Sequence, residues 1–272
     1  MLGLSEFLRE NARGDLIPWN VQAEAADQFG LSLAEVEERI LAAGFLPARY
    51  QRNRQTIATS GQFSLFRSRV AVIGCGGLGG YVIEELARLG VGTIIAIDPD
   101  IFEEHNLNRQ LLSTPATLAR PKVEAAAERV GLINPAVTLV PMQTAFSAAN
   151  GKELLQDATV VVDALDSIPV RLELAAVCND LAIPLVHGAI AGWYGHVATQ
   201  FPGEESIQKI YHSWKEGKGV EQRLGNPSFT PAVIASLQVA EVAKIILGEG
   251  TLLRNRKLMI DLNAMEIHQL DL

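Results

Sequence analysis

Cysteine is scarce in this chain: only Cys75 and Cys178 occur among 272 residues. Without a CxxC pair there is no four-thiolate zinc site and no disulfide framework, which points to a reducing compartment. Basic charge is also in short supply, with 23 Lys+Arg against 31 Asp+Glu and a formal net charge of -8. Nucleic-acid binders, tRNA binders included, present a basic face to phosphates, so that class is disfavoured. No apolar stretch reaches the roughly 18 residues that cross a bilayer. The first fifteen residues carry Glu6, Arg9 and Glu10 within their apolar pattern, unlike a secretory signal. The expectation is a cytoplasmic protein with no membrane partner. The five histidines, His105, His187, His196, His212 and His268, show no HExxH or similar ligand spacing. Polar low-complexity tracts are missing, and 48% apolar against 20% charged residues describes an ordinary globular chain.

What is present falls into two parts. Residues 1–60 read as a helical arm, with Ser32 three positions before Glu35 in capping-box spacing, Gly44 as the stop, and a basic stretch from Arg49 to Arg54. From Val70 the pattern changes to short continuous apolar runs, Val70–Ile73, Thr93–Ile97, Val137–Val140, Thr159–Val162 and Ile183–Val186, alternating with helical stretches at 81–89, about 120–132 and 168–180. Continuous apolar strands separated by helices describe a parallel sheet covered on both faces. Trp193–Phe201 and Lys257–Leu262 read as late antiparallel strands extending it, with a helix at Pro231–Leu247 between them. Residues 202–230 exceed the usual loop length and read as a mobile crossover or lid. The fold class is α/β: a Rossmann-like, mostly parallel sheet over 61–272, with the arm appended.

Gly74-Cys75-Gly76-Gly77-Leu78-Gly79 fits G-x-G-x-x-G between the first strand and its helix, and Asp98 ends the next strand 19 residues after Gly79. Glycines let backbone amides approach phosphates at a helix N-terminus, and a carboxylate at the second strand tip can accept from ribose hydroxyls. Taken alone, this pattern favours a dinucleotide such as NAD and an NAD-dependent oxidoreductase. Cys75, between two glycines, and Cys178, at apolar helical spacing, read as packing residues. His187 reads as a satisfied core histidine.

Further residues have no place in a dehydrogenase. Asp98-Pro99-Asp100, Asn106-Leu107-Asn108-Arg109-Gln110, Arg120-Pro121-Lys122 and Asp163-Ala164-Leu165-Asp166-Ser167 place two cations and an acidic pair at the carboxyl edge of the sheet. A triphosphate needs cationic clamps and a carboxylate for Mg²⁺, an ion that takes one or two protein oxygens.

In order and spacing these motifs, over roughly residues 49–272, resemble the ThiF/MoeB/HesA family, the bacterial relatives of ubiquitin-activating enzymes. The resemblance implies an adenylyltransferase in which the C-terminal glycine carboxylate of a ubiquitin-like sulfur-carrier protein ending in Gly-Gly attacks the α-phosphorus of ATP and releases pyrophosphate. It implies that Gly74, Gly76, Gly77 and Gly79 hold the nucleotide phosphates and Asp98 the ribose. Asn106, Arg109 and Lys122 orient the triphosphate, and Asp166 holds Mg²⁺. Arg49-Tyr50-Gln51-Arg52 resembles the family segment whose arginine reaches the neighbouring subunit's triphosphate, which implies a homodimer with Arg52, or Arg54, in that role. Many members carry two CxxC pairs for structural zinc, and some a cysteine in the crossover loop; this sequence has neither, so a zinc-free enzyme that stops at the adenylate is expected. Trp193 and Tyr194 read either as a groove for the carrier's extended tail or as buried aromatics. Two other readings stand beside this one: ATP-dependent activation of a small molecule or a tRNA base, and a silent module that only docks a carrier.

Overall fold

The computed structural model describes residues 3–213 and 221–272. The arm contains α1 (Leu4–Glu10), a two-residue strand β1 (Leu16–Ile17), α2 (Trp19–Phe29), α3 (Leu33–Ala42) and β2 (Leu46–Pro47), with β1 and β2 paired in parallel. Ser32 caps α3 as its spacing predicts: its Oγ accepts from Glu35 N–H at 3.2 Å, and Glu35 Oε2 accepts from Ser32 N–H at 2.8 Å. The arm has an apolar cluster of its own around Phe7, Leu8, Ile17, Val36 and Ile40.

The basic stretch after β2 fastens this arm to the rest of the chain. Arg49 pairs with buried Glu37 at 3.1 Å and donates to Gln22 Oε1 at 2.7 Å. The buried Tyr50 hydroxyl donates to Glu37 Oε1 at 2.7 Å and accepts from Asn134 Nδ2 at 2.8 Å. Burial pushes the Glu37 carboxyl up, with Arg49 and Tyr50 opposing.

Next come α4 (Thr59–Arg67), β3 (Arg69–Ile73), α5 (Gly77–Leu89), β4 (Thr93–Ile97), α6 (Lys122–Ile133), β5 (Thr138–Met142), α7 (Ala148–Leu155), β6 (Val160–Asp163), α8 (Ile168–Asp180), β7 (Leu185–Ala191) and β8 (Tyr194–Gln200). The chain continues through α9 (Ser206–Ile210), α10 (Glu221–Leu224), α11 (Phe229–Leu247), β9 (Arg256–Asp261) and β10 (Glu266–Asp271). One eight-stranded sheet has the order β10-β9-β8-β7-β6-β3-β4-β5. The five strands from β5 to β7 are parallel, and β8, β9 and β10 add to them antiparallel, as the sequence predicts for all but the last.

Side chains alternate across the sheet, and two cores follow. Val70 and Val72 face α5, α6 and α11 in one cluster, while Ala71 and Ile73 face α7 and α8 in the other. Chain order reverses at β3, which has β4 on one side and β6 on the other; such a switch point opens a crevice at the carboxyl ends of the strands. The register aligns those ends, since Ile73 pairs with both Ile97 and Asp163. Gly74, Asp98 and Ala164 therefore leave the sheet side by side.

Three features differ from the sequence expectation. First, α11 has 19 residues and is apolar enough by composition to cross a bilayer, contrary to the expectation that no stretch is. It lies against α5, β7 and β8, with Gln238 and Glu241 buried among its partners, so its apolar character is that of a helix in a core. Second, the expected crossover over 202–230 contains α9 and α10, and its central residues, 214–220, lie outside the described residues. Third, β1 and β2 within the arm, α4 across its expected end at residue 60, α7 and β10 were not anticipated. All six residues of β10 are exposed, which removes the burial pattern that marks a strand in sequence.

Candidate functional site

The glycine turn follows directly from β3. Gly74 sits at φ +97°, a conformation that side chains resist, and a Cβ there would lie 2.7 Å from the Ala164 carbonyl oxygen. The turn thus packs against the end of β6. Gly76 caps α5, and the amides of the first turn of a helix have no partner within it, so they present donors and the positive end of the dipole. Gly79 does not reach the cavity. It lets α5 approach the turn, for a Cβ on it would stand 1.8 Å from Gly74 O.

Beside this turn lies a cavity of about 1140 Å³, lined by Gly74, Gly76 and Gly77 and by Asp98, Arg109, Lys122 and Asp166. That volume exceeds a typical small-ligand pocket of roughly 300–1,000 Å³ and leaves room for a nucleotide together with a second reactant. Asp98 is buried at the end of β4: Oδ2 accepts from Cys75 N–H at 2.6 Å and Oδ1 from Asp100 N–H at 2.8 Å. Burial raises its carboxyl, with Lys122 opposing.

Lys122 opens α6 and is itself buried, its ammonium 2.8 Å from Asp100 Oδ2 and 3.9 Å from Asp98 Oδ1. Partial burial pulls the Arg109 guanidinium down from its ordinary value, while the charge of Asp166 opposes this. Asp166 is exposed at the cavity wall, and its carboxylate makes no hydrogen bond or ion pair among the described residues.

Besides Gly79, two expected residues stand apart. Asn106 is buried outside this cavity, with Oδ1 accepting from Glu103 N–H at 2.9 Å, so it shapes the loop that carries Arg109. Arg52 is exposed and does not line the cavity, and it has no salt bridge among the described residues, whereas Arg54 pairs with Asp15. Cys75 is fully buried, and burial pushes its thiol well up; burial pushes Cys178 up to about 12. Neither thiol has the lowered pKa of a nucleophile. Trp193 is 47% exposed and packs on Phe229 at 4.6 Å, and Tyr194 lines the cavity.

Also on the wall are residues to which the sequence assigned no role: Asp100 and Gln110, quoted only within their motifs, and Arg171, Tyr211 and Asn226. Gln110 Oε1 and Asn226 Oδ1 are buried polar atoms without a hydrogen-bond partner among the described residues. Buried polar groups are normally paired, so orphans around a cavity are what a bound polar ligand would satisfy.

Behind the wall, fully buried His187 places Nδ1 2.6 Å from Asp163 Oδ2 and Nε2 3.1 Å from His196 Nε2. It is a satisfied core histidine, as read from sequence. Burial holds His187 below its ordinary value and His196 well below it, with the neighbouring His187 adding to the second shift. A histidine depressed in the folded state stabilises fully above its unfolded value of 6.5, and that stability is lost as pH falls through the folded value. Lowering the pH from about 7.5 to about 5.5 should therefore cost up to about 1 kcal/mol at His196. Urea midpoints should show His196→Gln falling less steeply than the parent over that interval; parallel slopes would contradict this.

Residues 50–272 match the profile of the ThiF family. The chain is 35% identical over 217 residues to the SAMP-activating enzyme E1 of Haloferax volcanii, covering 78% of this chain and 80% of that one. It is 31% identical over 226 residues to the molybdopterin-synthase adenylyltransferase of Escherichia coli, covering 81% and 91%. Among solved structures, E. coli MccB crystallised with ATP has a TM-score of 0.68 at 23% identity, over 82% of this chain and 70% of that one. PaaA has a TM-score of 0.69 at 22% identity, over 82% and 72%. These two likenesses are likenesses of fold.

Proposed function

The chain belongs to the ThiF family, and from that premise we propose that it adenylates the C-terminal glycine carboxylate of a ubiquitin-like sulfur-carrier protein ending in Gly-Gly. The observation that carries this reading is the gathering of the glycine turn, Arg109, Lys122 and Asp166 on the wall of one cavity. A dinucleotide would leave both cations and Asp166 without work, which disfavours the oxidoreductase reading.

In the proposed reaction a carboxylate oxygen of the carrier attacks the α-phosphorus of ATP. The bond from that phosphorus to the bridging oxygen breaks, and its electrons leave with pyrophosphate. A carboxylate is ionised at neutral pH, so no general base is needed. Catalysis then rests on positioning and on charge stabilisation. The first-turn amides of α5 hold phosphate oxygens, and Arg109 and Lys122 neutralise the departing pyrophosphate. Lys122 exchanges its Asp100 partner for phosphate, and the buried Asp98 takes the ribose side. Gln110 Oε1 and Asn226 Oδ1 offer acceptors to ligand hydroxyl or amino groups.

Asp166 fits a hard cation that takes one protein oxygen and keeps nucleotide oxygens and water as its other ligands, as Mg²⁺ does. Bound there, Mg²⁺ would screen phosphate charge. Asn106 acts through the loop that carries Arg109, and Gly79 through the shape of the turn. In a homodimer, exposed Arg52 is the arginine available to the neighbouring subunit's triphosphate, since Arg54 is engaged by Asp15. The sequence offers no CxxC pair for zinc, and a cytoplasmic setting suits both nucleotide and carrier.

Mass spectrometry of a carrier incubated with the protein, ATP and Mg²⁺ tests this. The carrier should gain one AMP at its C-terminus, and a carrier whose last glycine is amidated should gain none. Labelling of both would overturn the reading.

A further inference from the structure

Asp166 has no side-chain partner among the described residues, so the backbone turn after β6 sets where its carboxylate points. That turn is clamped at the residue before it. Leu165 N–H donates to Asp163 Oδ1 at 3.0 Å, and the Leu165 carbonyl accepts from Arg171 Nη2. Each clamp is fixed in turn. Asp163 Oδ2 meets His187 Nδ1 at 2.6 Å, and its carbonyl accepts from Gln238 Nε2 at 2.8 Å. Arg171 Nη1 donates to Tyr211 Oη at 2.5 Å, and Tyr211 Oη lies 3.2 Å from His187 Nε2.

The links form a closed ring through Leu165, Asp163, His187, Tyr211 and Arg171, drawn from β6, β7, the end of α9 and α8, and a longer ion pair of 3.8 Å from Arg171 Nε to Asp163 Oδ2 spans it. Their directions follow from the inventory of donors. A carboxylate only accepts, so His187 carries its proton on Nδ1 and accepts at Nε2. The Tyr211 hydroxyl accepts from Arg171, which can only donate, and His187 Nε2, 3.2 Å away, can accept the hydroxyl proton. His196 Nε2, 3.1 Å from the same nitrogen, shares that acceptor. Arg171 feels Asp166 as well as Asp163, so the ring also holds a cation beside the exposed carboxylate.

We propose that Tyr211 and His187 are positioning residues for Asp166: their hydrogen bond closes the ring that fixes Asp163 and Arg171 on either side of Leu165. This rests on the reading that Asp166 holds the cation of a metal–ATP complex. Charged sites lose effect steeply when a ligand is displaced by even a fraction of an ångström, and neither residue need touch the nucleotide for this to matter.

Calorimetric titration of ATP into the full chain, once in Mg²⁺ and once in EDTA, separates the possibilities. The parent should bind more tightly in Mg²⁺, and Asp166→Ala should erase that difference. Tyr211→Phe removes the hydroxyl and keeps the ring; His187→Asn keeps a donor for Asp163 and drops the link to Tyr211. Each should shrink the Mg²⁺ enhancement, the ratio of the affinities in Mg²⁺ and in EDTA, by about fivefold. The double variant should lose no more than Tyr211→Phe alone, because either substitution opens the same ring. The two variants probe that link from opposite ends, so if one fails to fold the other decides.

Equal weakening in Mg²⁺ and EDTA, additive losses, or Tyr211→Phe binding as the parent does would overturn the role of the ring while leaving Asp166 in place. Persistence of the enhancement in Asp166→Ala would overturn the metal reading and this inference with it.

Discussion

Asp166→Ala is expected to lower carrier-dependent exchange of pyrophosphate into ATP by about 100- to 1,000-fold, the scale on which a single electrostatic group at a reacting centre acts. The residue is exposed, so its removal leaves the fold intact: thermal unfolding should move by no more than about 0.5 kcal/mol equivalent. Removing an anion near Arg109 and Arg171 makes the cavity more cationic, so metal-free ATP should bind no more weakly than before. Loss of turnover with retained metal-free binding is the signature of a group that serves the reaction. A parallel loss of metal-free binding would place Asp166 in a structural role instead.

Gly79→Ala should produce the second large effect, by a different physical route. The added methyl would meet Gly74 O at 1.8 Å and Gly74 C at 2.8 Å, and both atoms are backbone. No flexible side chain can yield, so either α5 moves off the sheet or the phosphate-binding turn opens. Overpacking of this kind costs about 1–3 kcal/mol, and occasionally more. Chemical denaturation should show that loss, and ATP affinity should fall by at least about tenfold, because the amides of the turn would no longer converge. Gly131→Ala is a control, since a Cβ there meets nothing within 4 Å. Equal behaviour of the two variants would contradict the close approach of α5 to the turn.

The inner parallel strands β3, β4, β6 and β7 were legible because they are largely buried and therefore mostly apolar, whereas β5, at the sheet edge, is only partly buried. Thr93–Ile97 begins and ends where it was expected to, and β3 starts one residue earlier than read. β10 carries Glu266, His268, Gln269 and Asp271 on an exposed edge, where no burial imposes a pattern. The two-residue ladder of β1 and β2 depends on a long-range register that no local signal reports.

In the site, the glycine turn, Arg109, Lys122 and Asp166 were readable because their chemistry is tied to short motifs. Asp100 was quoted in its motif, but its pairing with Lys122 was not foreseen, since 22 positions separate them and only the fold joins them. Arg171 follows the Asp163–Asp166 motif within one helical turn of the start of α8, and that spacing was the available signal. Nothing in the sequence links Tyr211 to His187. The basic stretch shows the converse: nothing in the sequence separates Arg49 from the other arginines of the stretch, yet it is tied to buried Glu37.

Radiolabelled pyrophosphate exchange into ATP, measured with and without a carrier ending in a free Gly-Gly, tests the account most directly. Exchange should appear only when protein, ATP, Mg²⁺ and carrier are all present, and should vanish when the carrier's terminal carboxylate is blocked. Exchange that proceeds at the same rate without any carrier would contradict it.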